Sequence, residues 1–147
     1  ISSREFEEVV AELFRSNGYQ ITLTKRTRDG GKDVIAINKD TMGVETSYFI
    51  ECKRHAEKNK VDVGIVRELY GVHSALNGPN KSIVATTSTF TPDARKFVDE
   101  ELRSKWDMEL RDINDVLSWV KRYKPHANKQ LLSGCDLAPL QPCIEKP

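Results

Sequence analysis

Apolar residues recur along this chain with two periods, and the switches between them mark its elements. From 3 to 17, Phe6, Val9, Val10, Leu13 and Phe14 fall at helical spacing. Ser2, with Glu5 three positions on, makes a capping-box start, and Asn17-Gly18 makes a stop. From Tyr19 to Lys25 the period drops to two, with Tyr19, Ile21 and Leu23 set against Gln20, Thr22 and Thr24, the pattern of a half-buried strand. After the turn Arg28-Asp29-Gly30-Gly31, the stretches Lys32 to Asn38 and Thr46 to Lys53 are apolar on both faces, joined by a polar connection over 38–45. The second of these should therefore lie centrally in a sheet.

The period then lengthens again. Asp62 is placed to cap a helix reaching about Leu76, with Ile65, Val66, Leu69, Val72 and Leu76 as its apolar stripe, before Asn77-Gly78-Pro79. A buried strand is expected over Ser82 to Thr87. Thr91-Pro92 supplies a cap and a first-turn proline for a helix burying Ala94, Phe97, Val98 and Leu102. A short strand over Met108 to Leu110 and a last helix capped by Asp112, with Ile113, Val116, Leu117 and Val120 inward, complete the order αβββαβαβα. A meander that hands over to αβ units predicts an α/β fold with a mixed central sheet flanked by helices. One domain is expected over residues 1–123. Residues 124–147, with Pro125, Pro139, Pro142 and Pro147 and little periodicity, read as an irregular tail.

Composition narrows the class. At 147 residues, 38% hydrophobic and 31% charged, the chain is long enough for one core and too apolar to be disordered. No apolar run has the length of a bilayer span, and no signal peptide is visible. The chain opens on Ile1 rather than Met, which suggests a processed or excised piece of something longer. Three cysteines, Cys52, Cys135 and Cys143, are too few and too odd in number for a disulfide framework and suit a reducing cytoplasm. The net charge of +1 decides nothing about partners. Its distribution says more: Lys25, Arg26, Arg28 and Lys32 cluster before Asp33, and Lys53, Arg54, His55, Lys58 and Lys60 lie just after Glu51. Taken alone, such clusters read better as an ordinary solvated face; what favours a partner is that both flank the two acids.

Those two acids carry the chemistry. Strand alternation puts Glu51 and Lys53 on one face and turns Cys52 into packing. Asp33 opens the preceding strand after a glycine-rich turn that lets backbone and ligand approach closely. Two carboxylates at one end of a sheet repel unless one is protonated or a cation lies between them. Carboxylate oxygens suit Mg²⁺ or Mn²⁺, and a lysine beside them is placed to orient or activate a water. This is equipment for metal-assisted phosphodiester hydrolysis. The competing reading is a pair of strand-end charges satisfied by Lys53, and the acid-x-lysine triplet by itself does not separate the two.

Several stretches together resemble the Mrr-like catalytic domain of restriction endonucleases, within the wider PD-(D/E)xK nuclease superfamily. They are Phe6-Glu7-Glu8, Asn17-Gly18-Tyr19, Asp29-Gly30-Gly31-Lys32-Asp33, Glu51-Cys52-Lys53-Arg54, Val66-Arg67-Glu68-Leu69-Tyr70-Gly71, and Ala85 to Thr91 before Ala94-Arg95. The similarity spans roughly residues 4 to 120. Many Mrr-like members carry Gln where this chain has Glu51, so this chain resembles the more usual superfamily form there. The resemblance implies a restriction-endonuclease-like fold, Asp33 and Glu51 as ligands of Mg²⁺ with Mn²⁺ as substitute, help from the Cys52 backbone carbonyl, and Lys53 near the attacking water. It also implies an acid from the first helix, Glu7 matching best and Glu8 as the alternative.

The expected function is a metal-dependent DNA endonuclease domain serving restriction or another defence system. Two alternatives remain open: a repair or Holliday-junction-resolving nuclease, and a DNA-binding module without catalysis. Arg28, Lys32, Arg54 and Lys58 are the candidate DNA contacts. DNA is the expected partner, and cutting both strands calls for a homodimer on DNA or through segments outside this chain. No membrane partner or nucleotide cofactor is expected, since there is no P-loop. Zinc at Cys52 and His55 is disfavoured by spacing. Arg67 and Glu68 on the second helix read as a solvated face, with reach to the site as the alternative, and Thr86 to Thr89 either contact phosphates or only shape the turn and cap the next helix.

Overall fold

The computed structural model describes residues 1–24 and 33–125. Among these residues nine elements follow in the expected order: α1 (Ser3–Ser16), β1 (Gln20–Leu23), β2 (Val34–Lys39), β3 (Glu45–Lys53), α2 (Val63–His73), β4 (Lys81–Thr86), α3 (Pro92–Glu100), β5 (Met108–Arg111) and α4 (Ile113–Lys121). The strands form one sheet in sequence order. β1–β2 and β2–β3 pair antiparallel, as a meander must, while β3–β4 and β4–β5 pair parallel, each pair bridged by a helix. β3 is thus the hinge between the two halves of a mixed sheet. The expected glycine turn with its basic cluster before Asp33, and the tail from 126 onward, lie outside the described residues.

Each helix starts where a side chain accepts its first free amide. Ser2 and Asp112 form capping boxes with Glu5 and Asp115, Asp62 accepts from the Ile65 amide, and Thr91 accepts from Ala94 ahead of Pro92. The helices divide between the two faces of the sheet. Phe6, Val9, Val10 and Leu13 of α1 and Val116 and Val120 of α4 pack with Val34, Ala36, Ile50, Cys52, Ile83 and Ala85. Val66 and Leu69 of α2 and Ala94 and Phe97 of α3 pack with Val61, Val84, Phe90 and Met108 on the other face.

One boundary departs from expectation. α2 ends at His73, not near Leu76, and Leu76 is 97% exposed. The chain folds back over the helix end. A Cβ on Gly78 would lie 2.0 Å from the His73 carbonyl oxygen, and the Gly78 amide donates to the Ala75 carbonyl. That close approach stops the helix before its apolar stripe is used up. Gly78→Ala should therefore cost about 1–3 kcal/mol, because backbone rather than a mobile side chain must yield; a thermal melt equal to wild type would contradict the packing described. Smaller differences are at strand ends. β2 starts at Val34, β5 reaches Arg111, and Val98 and Leu102 are only partly buried.

Candidate active site

The open end of the β2–β3 hairpin is where the acids meet. Asp33 stands one residue ahead of β2, yet its main chain already belongs to the ladder. Its amide donates to the Ile50 carbonyl at 2.9 Å, and its carbonyl accepts from the Thr24 amide at 3.0 Å. Its side chain turns to β3 as well, where Oδ2 accepts the Cys52 amide at 2.7 Å. This is a charge-assisted bond to a backbone donor, and it pins the carboxylate beside the strand that carries Glu51.

Main-chain groups in a strand alternate between its neighbours. Ile50 and Cys52 face β2 and Asp33, whereas the Lys53 carbonyl faces β4 and accepts the Thr87 amide at 3.2 Å. The Cys52 carbonyl therefore shares the Asp33 side of β3. Side chains alternate too. Cys52 is buried in the α1/α4 core, and Glu51 and Lys53 lie on the opposite face. Lys53 Nζ contacts Glu51 Oε1 at 2.9 Å, with Glu51 almost covered and Lys53 about one-third exposed (34%).

The electrostatics follow from that crowding. Burial pushes the Glu51 carboxyl above its ordinary value; Lys53 opposes this, and Asp33 and Glu68 reinforce it. For Lys53 burial disfavours the charge, but the Glu51 hydrogen bond and the Glu51, Asp33 and Glu68 charges outweigh it, so its pKa rises. Burial drives the Cys52 thiol well up, helped by Asp33, Glu7 and Glu51. Cys52 is therefore a neutral core residue, not a nucleophile or a soft metal ligand.

The remaining acids sort themselves by position. Glu7 on α1 is buried and faces the side of the sheet where Cys52 lies, and Arg4 Nη1 holds it at 2.9 Å. Glu8 is less covered and lies 3.8 Å from Arg4 Nε. Among the described residues no three His, Cys, Asp or Glu side chains form a group able to hold a metal. Glu7 thus does not join Asp33 and Glu51 in a three-carboxylate cage. Two hard oxygen donors with a neighbouring main-chain carbonyl still fit Mg²⁺, which favours one or two carboxylates and retains several waters. The donor set does not fit zinc, because Cys52 is buried and His55 Nδ1 is bonded to the Asn59 carbonyl at 3.0 Å.

Glu68 reaches further than a solvated helix face implies. It is exposed on α2, as expected, yet its charge acts on both Glu51 and Lys53. The signal for this is spacing: Glu68 is one turn from Ile65 and beside Leu69, at the border of the buried stripe. Arg67 instead lies over the Phe97 ring, 5.5 Å from its centre. Of the candidate DNA contacts, Arg54 is exposed and its Nε donates to the Ile1 carbonyl at 2.9 Å. Lys58 is exposed, and Arg28 and Lys32 lie outside the described residues. Thr86 and Ser88 are fully buried, so they are turned away from any phosphate. A cavity of about 630 Å³ lies toward the other end of the sheet, among Phe14, Tyr19, Tyr48, Lys81, Trp106 and Trp119, and does not touch the acids.

Comparisons with known proteins bear on the family and the fold. Residues 1–120 match the family model Mrr_cat, described as restriction endonuclease. A protein of Sinorhizobium fredii (strain NBRC 101917 / NGR234), called uncharacterized protein y4cE, is 39% identical over 120 residues, 82% of this chain and 30% of that protein. The DNA modification-dependent restriction endonuclease AspBHI superposes with a TM-score of 0.62 at 23% identity, over 78% of this chain and 30% of its own. MspJI restriction endonuclease, solved in complex with a 27-mer oligonucleotide, gives 0.59 at 18% identity, over 92% and 30%. At these identities the two structures speak for the fold. The chain spans about a third of the length of each of these proteins.

Proposed function

Because the chain belongs to the Mrr_cat family of restriction endonucleases, we propose that it is the hydrolytic domain of a Mg²⁺-dependent endodeoxyribonuclease acting in DNA restriction. The observation that carries this reading is the convergence of Asp33, Glu51 and Lys53 at the open end of one hairpin, with Asp33 fastened to the Cys52 amide at 2.7 Å. Structural ion pairs do not need a second carboxylate brought against the first.

Asp33, Glu51 and the Cys52 carbonyl are the groups that would hold Mg²⁺. The ion would supply charge stabilisation at the phosphate and a more acidic water. Lys53, its pKa raised among three carboxylates, stays protonated at neutral pH. It therefore donates a hydrogen bond to the attacking water or to a phosphate oxygen and offsets developing negative charge, rather than taking a proton. Glu51 receives one of those Lys53 bonds and keeps the ammonium over the site. Glu7 and Glu68 add negative field from α1 and α2.

Supercoiled plasmid should be nicked with Mg²⁺ or Mn²⁺ and left intact with EDTA. Plasmid, branched and methylated DNA are the substrates to compare, since AspBHI is described as DNA modification-dependent. Cutting that persists in EDTA would sink the metal assignment, and selective cutting of branched DNA would move the role to repair. The partner is DNA, held through phosphates by Arg54 and Lys58 with Arg28 and Lys32, and a homodimer would supply the second cut. Duplex binding by this chain should weaken linearly with log salt and differ little among sequences. A salt-insensitive preference for one sequence would show instead that it reads bases. The proposed setting is the cytoplasm; among the described residues no helix is long and apolar enough to cross a membrane.

A further inference from the structure

Lys53 closes β3, its carbonyl still accepting the Thr87 amide at 3.2 Å, and over 54–57 the chain leaves the sheet and main-chain pairing with β4 runs out. Side-chain hydroxyls continue it. Thr86 Oγ1 donates to the Lys53 carbonyl at 2.7 Å, Thr87 Oγ1 to the His55 carbonyl at 2.8 Å, and Ser88 Oγ to the Glu57 carbonyl at 2.8 Å. Three successive hydroxyls thus hold every second carbonyl. The ladder is braced from behind, since Thr86 Oγ1 accepts the Ser88 amide at 3.0 Å and Thr87 Oγ1 accepts the His55 amide at 2.9 Å. Thr86 and Ser88 are 0% exposed, so these bonds are shielded from competing water.

The segment so held contains Lys53 at one end and Arg54 beside it, and Lys58 follows its other end directly. An irregular stretch carrying two long cationic side chains would ordinarily sample many conformations and lose them on binding. We propose that Thr86, Thr87 and Ser88 are positioning residues of the hydrolytic site, holding Lys53 over Glu51 and pre-shaping the segment 54–58 against the DNA backbone. This rests on the nuclease reading of Asp33, Glu51 and Lys53. It assigns the hydroxyls to protein carbonyls rather than to phosphates, and it divides their labour. Thr86 acts on the lysine, and so on turnover. Thr87 and Ser88 act on the basic segment, and so on DNA affinity.

The test compares Thr86→Val, Thr87→Val and Ser88→Ala with wild type and with Thr86→Ser, in the full chain, on a fluorescently labelled duplex with Mg²⁺. Thr86→Val should lower kcat by roughly 10- to 100-fold with KM little changed, and Thr86→Ser should recover most of it. Thr87→Val and Ser88→Ala should chiefly raise KM. In parallel, amide hydrogen exchange at His55 should quicken by at least about tenfold in Thr87→Val while the core strands stay protected. Folded variants that cut as wild type does, per folded molecule, would overturn the proposal. So would losses that merely track the melting temperature and are not restored by Thr86→Ser. Should Thr86→Val not fold, Thr87→Val and Ser88→Ala decide the matter by the same criteria. If wild type cuts nothing, the reading of the acids falls separately. The ladder is then decided by the His55 exchange and by duplex affinity, and no change in either would overturn it.

Discussion

Lys53→Ala should abolish DNA cleavage, lowering kcat by about 10²–10³-fold or more, the loss usual when a preorganised charge-stabilising donor is removed. The fold should survive, because Lys53 is at a strand end and about one-third exposed, at 34%. Asp33 needs more care. Its carboxylate holds the Cys52 amide at 2.7 Å, so Asp33→Ala removes a structural bond together with the candidate ligand. Asp33→Asn keeps an acceptor in the same place while removing the charge, and is the cleaner variant. It should bind Mn²⁺ far more weakly than wild type and cut no DNA, with a melting temperature near that of wild type. The checks are a plasmid-nicking time course and a Mn²⁺ titration followed by electron paramagnetic resonance. Cleavage by Lys53→Ala at a rate near that of wild type would remove the lysine from the reaction.

The second large effect is on stability and concerns residues outside the candidate site. Glu12 is 0% exposed on α1 and accepts three bonds: Arg15 Nε at 2.6 Å, Arg15 Nη2 at 2.8 Å and the Tyr123 hydroxyl at 2.6 Å. The bidentate pair with Arg15 is buried, and Tyr123 ties it to the chain just after α4. Glu12→Ala strips the partner from a buried guanidinium and should cost about 3–5 kcal/mol. The double variant Glu12→Leu with Arg15→Leu should recover much of that, because it removes both charges rather than stranding one. Urea unfolding of the three proteins measures both. A Glu12→Ala midpoint equal to wild type would mean that Arg15 finds water, and that the network contributes little.

The periodic segments are legible in the sequence because their physics is local. Phe6 to Phe14, the alternation around Ile21 and the caps at Ser2, Asp62, Thr91 and Asp112 each depend on residues a few positions apart, and the structure places elements at all of them. Cys52 in the core, with Glu51 and Lys53 on the opposite face, is likewise a matter of counting by two along one strand. What escapes such counting is tertiary. The early end of α2 depends on Gly78 meeting the His73 carbonyl, and no helical pattern records that approach. The Glu12–Arg15–Tyr123 network joins residues 111 positions apart. The reach of Glu68 depends on how α2 lies on the sheet, and the hydroxyls of 86–88 find their partners only once β3 and β4 are side by side.

The burial of Cys52 divides one short motif between two masters. In the triplet Glu51-Cys52-Lys53 the outer letters would answer to the proposed reaction, whereas the middle side chain packs with Ile50, Ile83 and Ala85 under α1 and α4. Its amide serves Asp33, and any residue except proline provides an amide. Position 52 is therefore free in chemistry and bound in volume. Along a lineage it would drift in step with its neighbours in the α1 and α4 packing, changing size when they do, while the acid and the lysine on either side stay put.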